Sequence, residues 1–72
     1  MKAMEEVVFV VEEAPEGGYT ARALGVSIVT EADDLESLRR QVVDAVHCHF
    51  AGQPTPPRLI RLHLVKDEVL AA

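Results

Sequence analysis

The chain has 72 residues, 49% of them hydrophobic and 26% charged, with a formal net charge of −5. That length admits one domain with a small core, and the balance of apolar and charged residues excludes a disordered chain. The acidic balance argues against direct binding to nucleic acid or to an anionic membrane, because both need clustered Lys and Arg.

A core this small leaves much of the surface wet, so small domains commonly add disulfides, a structural metal or self-association. Cys48 is the single cysteine, which rules out an internal disulfide and leaves the other two. The opening stretch is not expected to be a signal peptide, since its apolar run from Val7 to Val11 is short and bounded by glutamates. No segment approaches the ~20 apolar residues of a bilayer span. A cytoplasmic protein with no membrane contact is expected, and a lone reduced thiol suits that compartment.

Val7 to Val11 reads VVFVV, a strand with apolar side chains on both alternating faces, as befits an inner position in a sheet. Pro15 and Gly17-Gly18 then supply turn chemistry for a hairpin. Tyr19 to Leu24 is expected as a second strand and Val26 to Thr30 as a third, divided by Gly25. From there the period changes. Leu35, Leu38, Val42, Ala45, Val46, His49 and Phe50 fall at spacings of three and four, the signature of an amphipathic helix.

Asp33 is the expected N-cap, with Glu36 as its capping-box partner. Glu31, Asp33, Asp34 and Glu36 crowd the positive end of the helix, and Glu36 can pair with Arg40 one turn later. Gly52 is the expected stop, and Pro54, Pro56 and Pro57 prevent continuation. A final strand follows, in which Ile60, Leu62 and Leu64 alternate with Arg61, His63 and Val65, and its apolar face should meet the helix. Reached by a helical crossover, it should lie parallel to Val7–Val11, giving the order third, second, first, fourth. The expected fold is α+β, β-β-β-α-β, with one helix on one face of a four-stranded sheet and residues 1–72 forming a single domain.

His47, Cys48 and His49 invite the question of a metal site. On a helix, three neighbours at 100° intervals point in three directions and cannot converge on one ion. His49 falls within the apolar stripe and is expected as a core or subcore residue, Cys48 at its margin as a half-buried one, and His47 on the far side. A thiol near a helix C-terminus lacks the positive surroundings that activate a nucleophile. His63, the remaining imidazole, is expected on the sheet face opposite the helix.

The carboxylates Glu12, Glu13 and Glu16 flank a turn, and Glu31, Asp33, Asp34 and Glu36 suit a helix N-terminus; neither group has EF-hand spacing. Gly17-Gly18 does not lead from a strand into a helix as a phosphate loop does. The hydroxyls of Thr20, Ser27, Thr30, Ser37 and Thr55 lie in no nucleophile motif. These readings assign no catalytic residue, no cofactor-binding residue and no metal ligand, and the protein is expected not to be an enzyme.

One helix covers one sheet face, yet Val7–Val11 and Val65 place apolar groups on the other, among Thr20, Arg22, Arg61 and His63. Burying a valine-sized side chain is worth roughly 1.5–3 kcal/mol, so a homo-oligomer formed through the uncovered face is expected.

The first strand, the acidic turn ending in Gly17-Gly18-Tyr19, the TARALG strand, the TEADDLESL lead into the helix and the RLIRLHLV strand together resemble the HicB-like antitoxin superfamily over nearly the whole chain. The resemblance implies a partial ribonuclease H-like fold without nuclease activity. It also implies a protein-binding module that neutralises a small basic HicA-like ribonuclease toxin. Commoner members carry a Pro-Gly-Cys turn and a Gly-Asp-Thr helix start, where this chain has Gly17-Gly18-Tyr19 and Ala32-Asp33-Asp34. Members that bind their operator use an added C-terminal segment; none follows Leu70, so direct operator binding is not expected. The alternative is an orphan homo-oligomer with a structural or small-ligand-binding role.

Overall fold

The computed structural model describes residues 5–66 and 68–72. Strands β1 (Glu6–Glu13), β2 (Tyr19–Ala23) and β3 (Val29–Ala32) precede helix α1 (Leu35–His49) and strand β4 (Leu59–Val65). They form one mixed sheet in the order β3-β2-β1-β4. β1 pairs antiparallel with β2 and parallel with β4. The expected α+β class, element order and strand order therefore stand.

The β-branched run of β1 takes the inner position because it has apolar groups to offer on both faces. Val7, Phe9 and Val11 are almost completely buried on the helix side, where Ala21 and Ala23 of β2 lie beside them. Leu38, Val42 and Val46 project from α1 onto this layer, and Phe50 closes it just beyond the last helical turn. Two alanines on β2 leave room for the larger side chains of β1 and α1.

The β1–β2 turn is closed by the Ala14 N–H donating to the Gly18 carbonyl at 2.9 Å and the Gly17 N–H donating to that of Ala14 at 3.0 Å. Gly17 and Gly18 both have positive φ, 102° and 83°. At Gly18 a side chain would also collide, since an added Cβ would lie 2.9 Å from the Ala32 carbonyl oxygen.

Three expectations need correction. The third strand begins later than Val26: residues 24–28 form a loop in which the Ala23 N–H donates to the Ile28 carbonyl at 2.9 Å. Ile28 is buried and Val26 packs against the core from this loop, so their two-residue spacing imitates a strand while serving as a plug. The N-cap is Asp34, not Asp33; its carboxylate accepts from the Ser37 N–H at 2.7 Å. Finally, the apolar side of β4 is only partly covered. Ile60 and Leu62 pack against the core but stay half-exposed, and Leu64 is 53% exposed, although their register neighbours on β1 are sealed.

Candidate functional site

The hairpin turn and the start of α1 meet at one end of the molecule, because β2 and β3 pair with Tyr19 opposite Ala32. Gly18 thereby sits against the backbone of Ala32 and Asp33. A cleft of about 480 Å³ opens between the two segments, lined by Gly17, Gly18, Thr20, Glu31, Asp33, Asp34, Ser37 and Gln41 among others. A neighbouring depression is lined by Glu12, Glu13, Pro15, Gly17 and Val65. The two acidic groups that are separate in sequence thus share one end of the fold.

Glu12, Glu13, Glu16, Glu31, Asp33, Asp34 and Glu36 are all exposed. The Asp34 carboxyl is held below its ordinary range by hydrogen bonds from Ser37. Glu36 lies 3.8 Å from Arg40 one turn along α1, a solvent-exposed contact of little energetic weight. Between this end and β4, Val11, Tyr19, Leu35 and Leu64 line a more apolar groove with Glu13 and Lys66 at its rim.

The imidazoles and the thiol are elsewhere. His47, Cys48 and His49 are all exposed at the C-terminal end of α1. This corrects the expected burial of His49 and half-burial of Cys48. Phe50 occupies the core at that end, and the His49 ring stacks edge-on against it at 4.9 Å and 72°. His63 is on the opposite sheet face from α1, as its register beside Val10 requires. No group of three or more His, Cys, Asp or Glu able to hold a metal ion occurs among the described residues.

The sheet face without a helix carries Val8, Val10, Val29 and Val65, interspersed with Thr20, Arg22, Arg61 and His63. Val8 and Val10 are half-buried even without a covering layer, whereas Val29 is 68% exposed. Arg61 spans part of this face to grip Glu6 through two hydrogen bonds, Nε to Oε1 at 2.6 Å and a second guanidinium nitrogen to Oε2 at 3.2 Å. The guanidinium holds the Glu6 carboxyl below its ordinary range. Among the described residues no helix is long and apolar enough to cross a membrane.

No protein-family model and no solved structure matches the chain. Two proteins of similar sequence carry the name UPF0150 protein. One, from Archaeoglobus fulgidus, is 57% identical over 53 residues, 74% of this chain and 79% of that protein. The other, from Thermotoga maritima, is 35% identical over 71 residues, 99% of both chains. That name specifies neither an activity nor a partner. At these identities over these lengths, the chain belongs to the UPF0150 family.

Proposed function

We propose that this chain is a non-enzymatic, HicB-like protein-binding module of the cytoplasm, with a fold of the partial ribonuclease H type. Its acidic end docks a small basic protein, a HicA-like ribonuclease toxin being the partner that the resemblance implies. The observation that carries this reading is the convergence of the hairpin carboxylates and the helix-start carboxylates on one end, where they line two adjoining depressions that share Ala14 and Gly17. Opposed charge steers such encounters and rejects acidic competitors. Asp34 serves the helix start through Ser37, whereas Glu12, Glu13, Glu16 and Glu31 make no side-chain hydrogen bond or salt bridge among the described residues.

The test is a search beside this gene for a reading frame encoding a small basic protein, then co-purification with its product and titration at two salt concentrations. Binding that weakens with salt, and at least tenfold with Glu12→Lys and Glu16→Lys together, is the expected result. Failure of the pair to co-purify, or charge reversal without effect, would overturn the reading. A second reading, a homo-oligomeric protein with no such toxin, is favoured by the exposure of Val29 beside Val8 and Val10 on the open face. By light scattering, an oligomer that Val29→Glu dissociates supports this second reading; a single chain, or an oligomer that survives Val29→Glu, counts against it.

A further inference from the structure

The two edges of the sheet differ. β3 has only four residues and exposes Glu31, a short charged edge of the kind that resists pairing. β4 has seven residues, none of them buried, and five of them are apolar. It contains no proline, lysine or glycine, and its ladder beside β1 runs without a break from Leu59 to Val65. Among the described residues its outer side has no strand beside it.

The sequence of β4 also reads nearly the same in both directions about its central residue: Leu59-Ile60-Arg61-Leu62-His63-Leu64-Val65. That symmetry is what a two-fold contact needs, because an isologous interface places each residue opposite its counterpart in reverse order. We propose that the outer edge of β4 pairs antiparallel with β4 of a second copy, centred on Leu62, so that two sheets become one. In this register Leu62 faces itself, Ile60 faces the partner's Leu64, and Leu59 faces the partner's Val65.

The pairing answers two features at once. Ile60, Leu62 and Leu64 extend beyond the cover of α1 on the helix side, and the two-fold brings both sets together between the two helices. On the other face Arg61 stands opposite the partner's His63, and its charge is already engaged by Glu6. Directly opposed apolar pairs of this kind are the unit of sheet stabilisation. The contact uses the edge, and is thus distinct from the open-face association considered above.

The mass in solution and the register are both measurable. Light scattering should give twice the 7.9 kDa of one chain, and Leu64→Lys, at an exposed position, should return it to one. In a Cys48→Ser background, a mixture of Arg61→Cys and His63→Cys chains should form a disulfide between unlike chains far faster than either forms with itself, since the two positions face each other across the strand pair. Both variants replace exposed side chains, and circular dichroism checks that each is folded. A single-chain mass at high concentration would overturn the proposal. So would a dimer that Val29→Glu dissociates and Leu64→Lys does not, or one that lacks the mixed disulfide.

Discussion

At the scale of single residues, the start of α1 shows how a one-position difference redirects a prediction. Asp33 and Asp34 are adjacent carboxylates, and Glu36 three residues after Asp33 suggests a capping box; the structure instead caps with Asp34, three residues before Ser37. Asp34→Ala should therefore lower the melting temperature by a few degrees, while Asp33→Ala should leave it nearly unchanged. The same carboxylate has a pH signature. Its folded-state pKa is lowered by the Ser37 hydrogen bonds, as that of Glu6 is by Arg61. A lowered pKa means the unfolded chain binds the proton more tightly. The stabilisation is then complete above the ordinary carboxylate range and is lost as pH falls through the folded values. Melting temperature against pH should decline below about pH 4, where ordinary carboxylates titrate, and Asp34→Ala should reduce that decline. Glycine gives a sharper contrast: Gly18→Ala meets both a positive φ and the Ala32 carbonyl, Gly17→Ala only the φ. A loss of roughly 1–3 kcal/mol is expected at Gly18 and a smaller one at Gly17, by urea denaturation. His49 shows the limit of reading residues from helix phase alone. Its angle places it in the apolar stripe, yet at the last turn Phe50 closes the core and His49 is left outside.

At the scale of elements, β1 is the part on which the rest of the packing depends. Phe9 is fully buried, lies beside Ala23 on one side and Leu62 on the other, and faces α1. Phe9→Ala should cost about 3–5 kcal/mol, comparable to the whole stability that a domain of this size usually has. The variant is expected to be largely unfolded at 25 °C by circular dichroism, and a well-folded one would show that α1 holds the sheet without this side chain. Element identity and strand order were legible because they rest on long signals: a β-branched run, a three-four periodicity over the helix, and a crossover that makes β4 parallel to its neighbour. The offset of β3 was not, because Val26 and Ile28 carry the alternation of a strand while packing from a loop. Nor was the partial cover of β4. Periodicity tells which side of a strand is apolar, whereas the reach of a helix across a sheet depends on how far α1 leans towards β2 and β3. The acidic end lay in between: each cluster was visible, but only the Tyr19–Ala32 register brings them together.

At the scale of the whole molecule, the acidic end meets β4 only at its C-terminal end, Leu64 and Val65, whereas the proposed pairing is centred on Leu62, and this lets the two proposals be tested by different substitutions. Antiparallel pairing about Leu62 would turn the two copies end for end, so their acidic clefts would point away from each other along the joined sheet. Each cleft would remain free to take a basic partner, and a complex of two copies with two partners is expected, measured as particle mass. Leu64→Lys should then reduce that complex to one of each, while Glu12→Lys with Glu16→Lys should remove the partner and leave the pair of copies intact. Thermal unfolding offers a check that needs no partner. A dimer that unfolds to separate chains gains about 1.4 kcal/mol for each tenfold rise in protein concentration. At the entropy of unfolding usual for a particle of this combined size, that corresponds to a rise of roughly 3–5 °C in melting temperature. The wild-type chain should show this rise and Leu64→Lys should not. A melting temperature independent of concentration in both would mean that β4 remains an open edge and that the small core holds the fold alone.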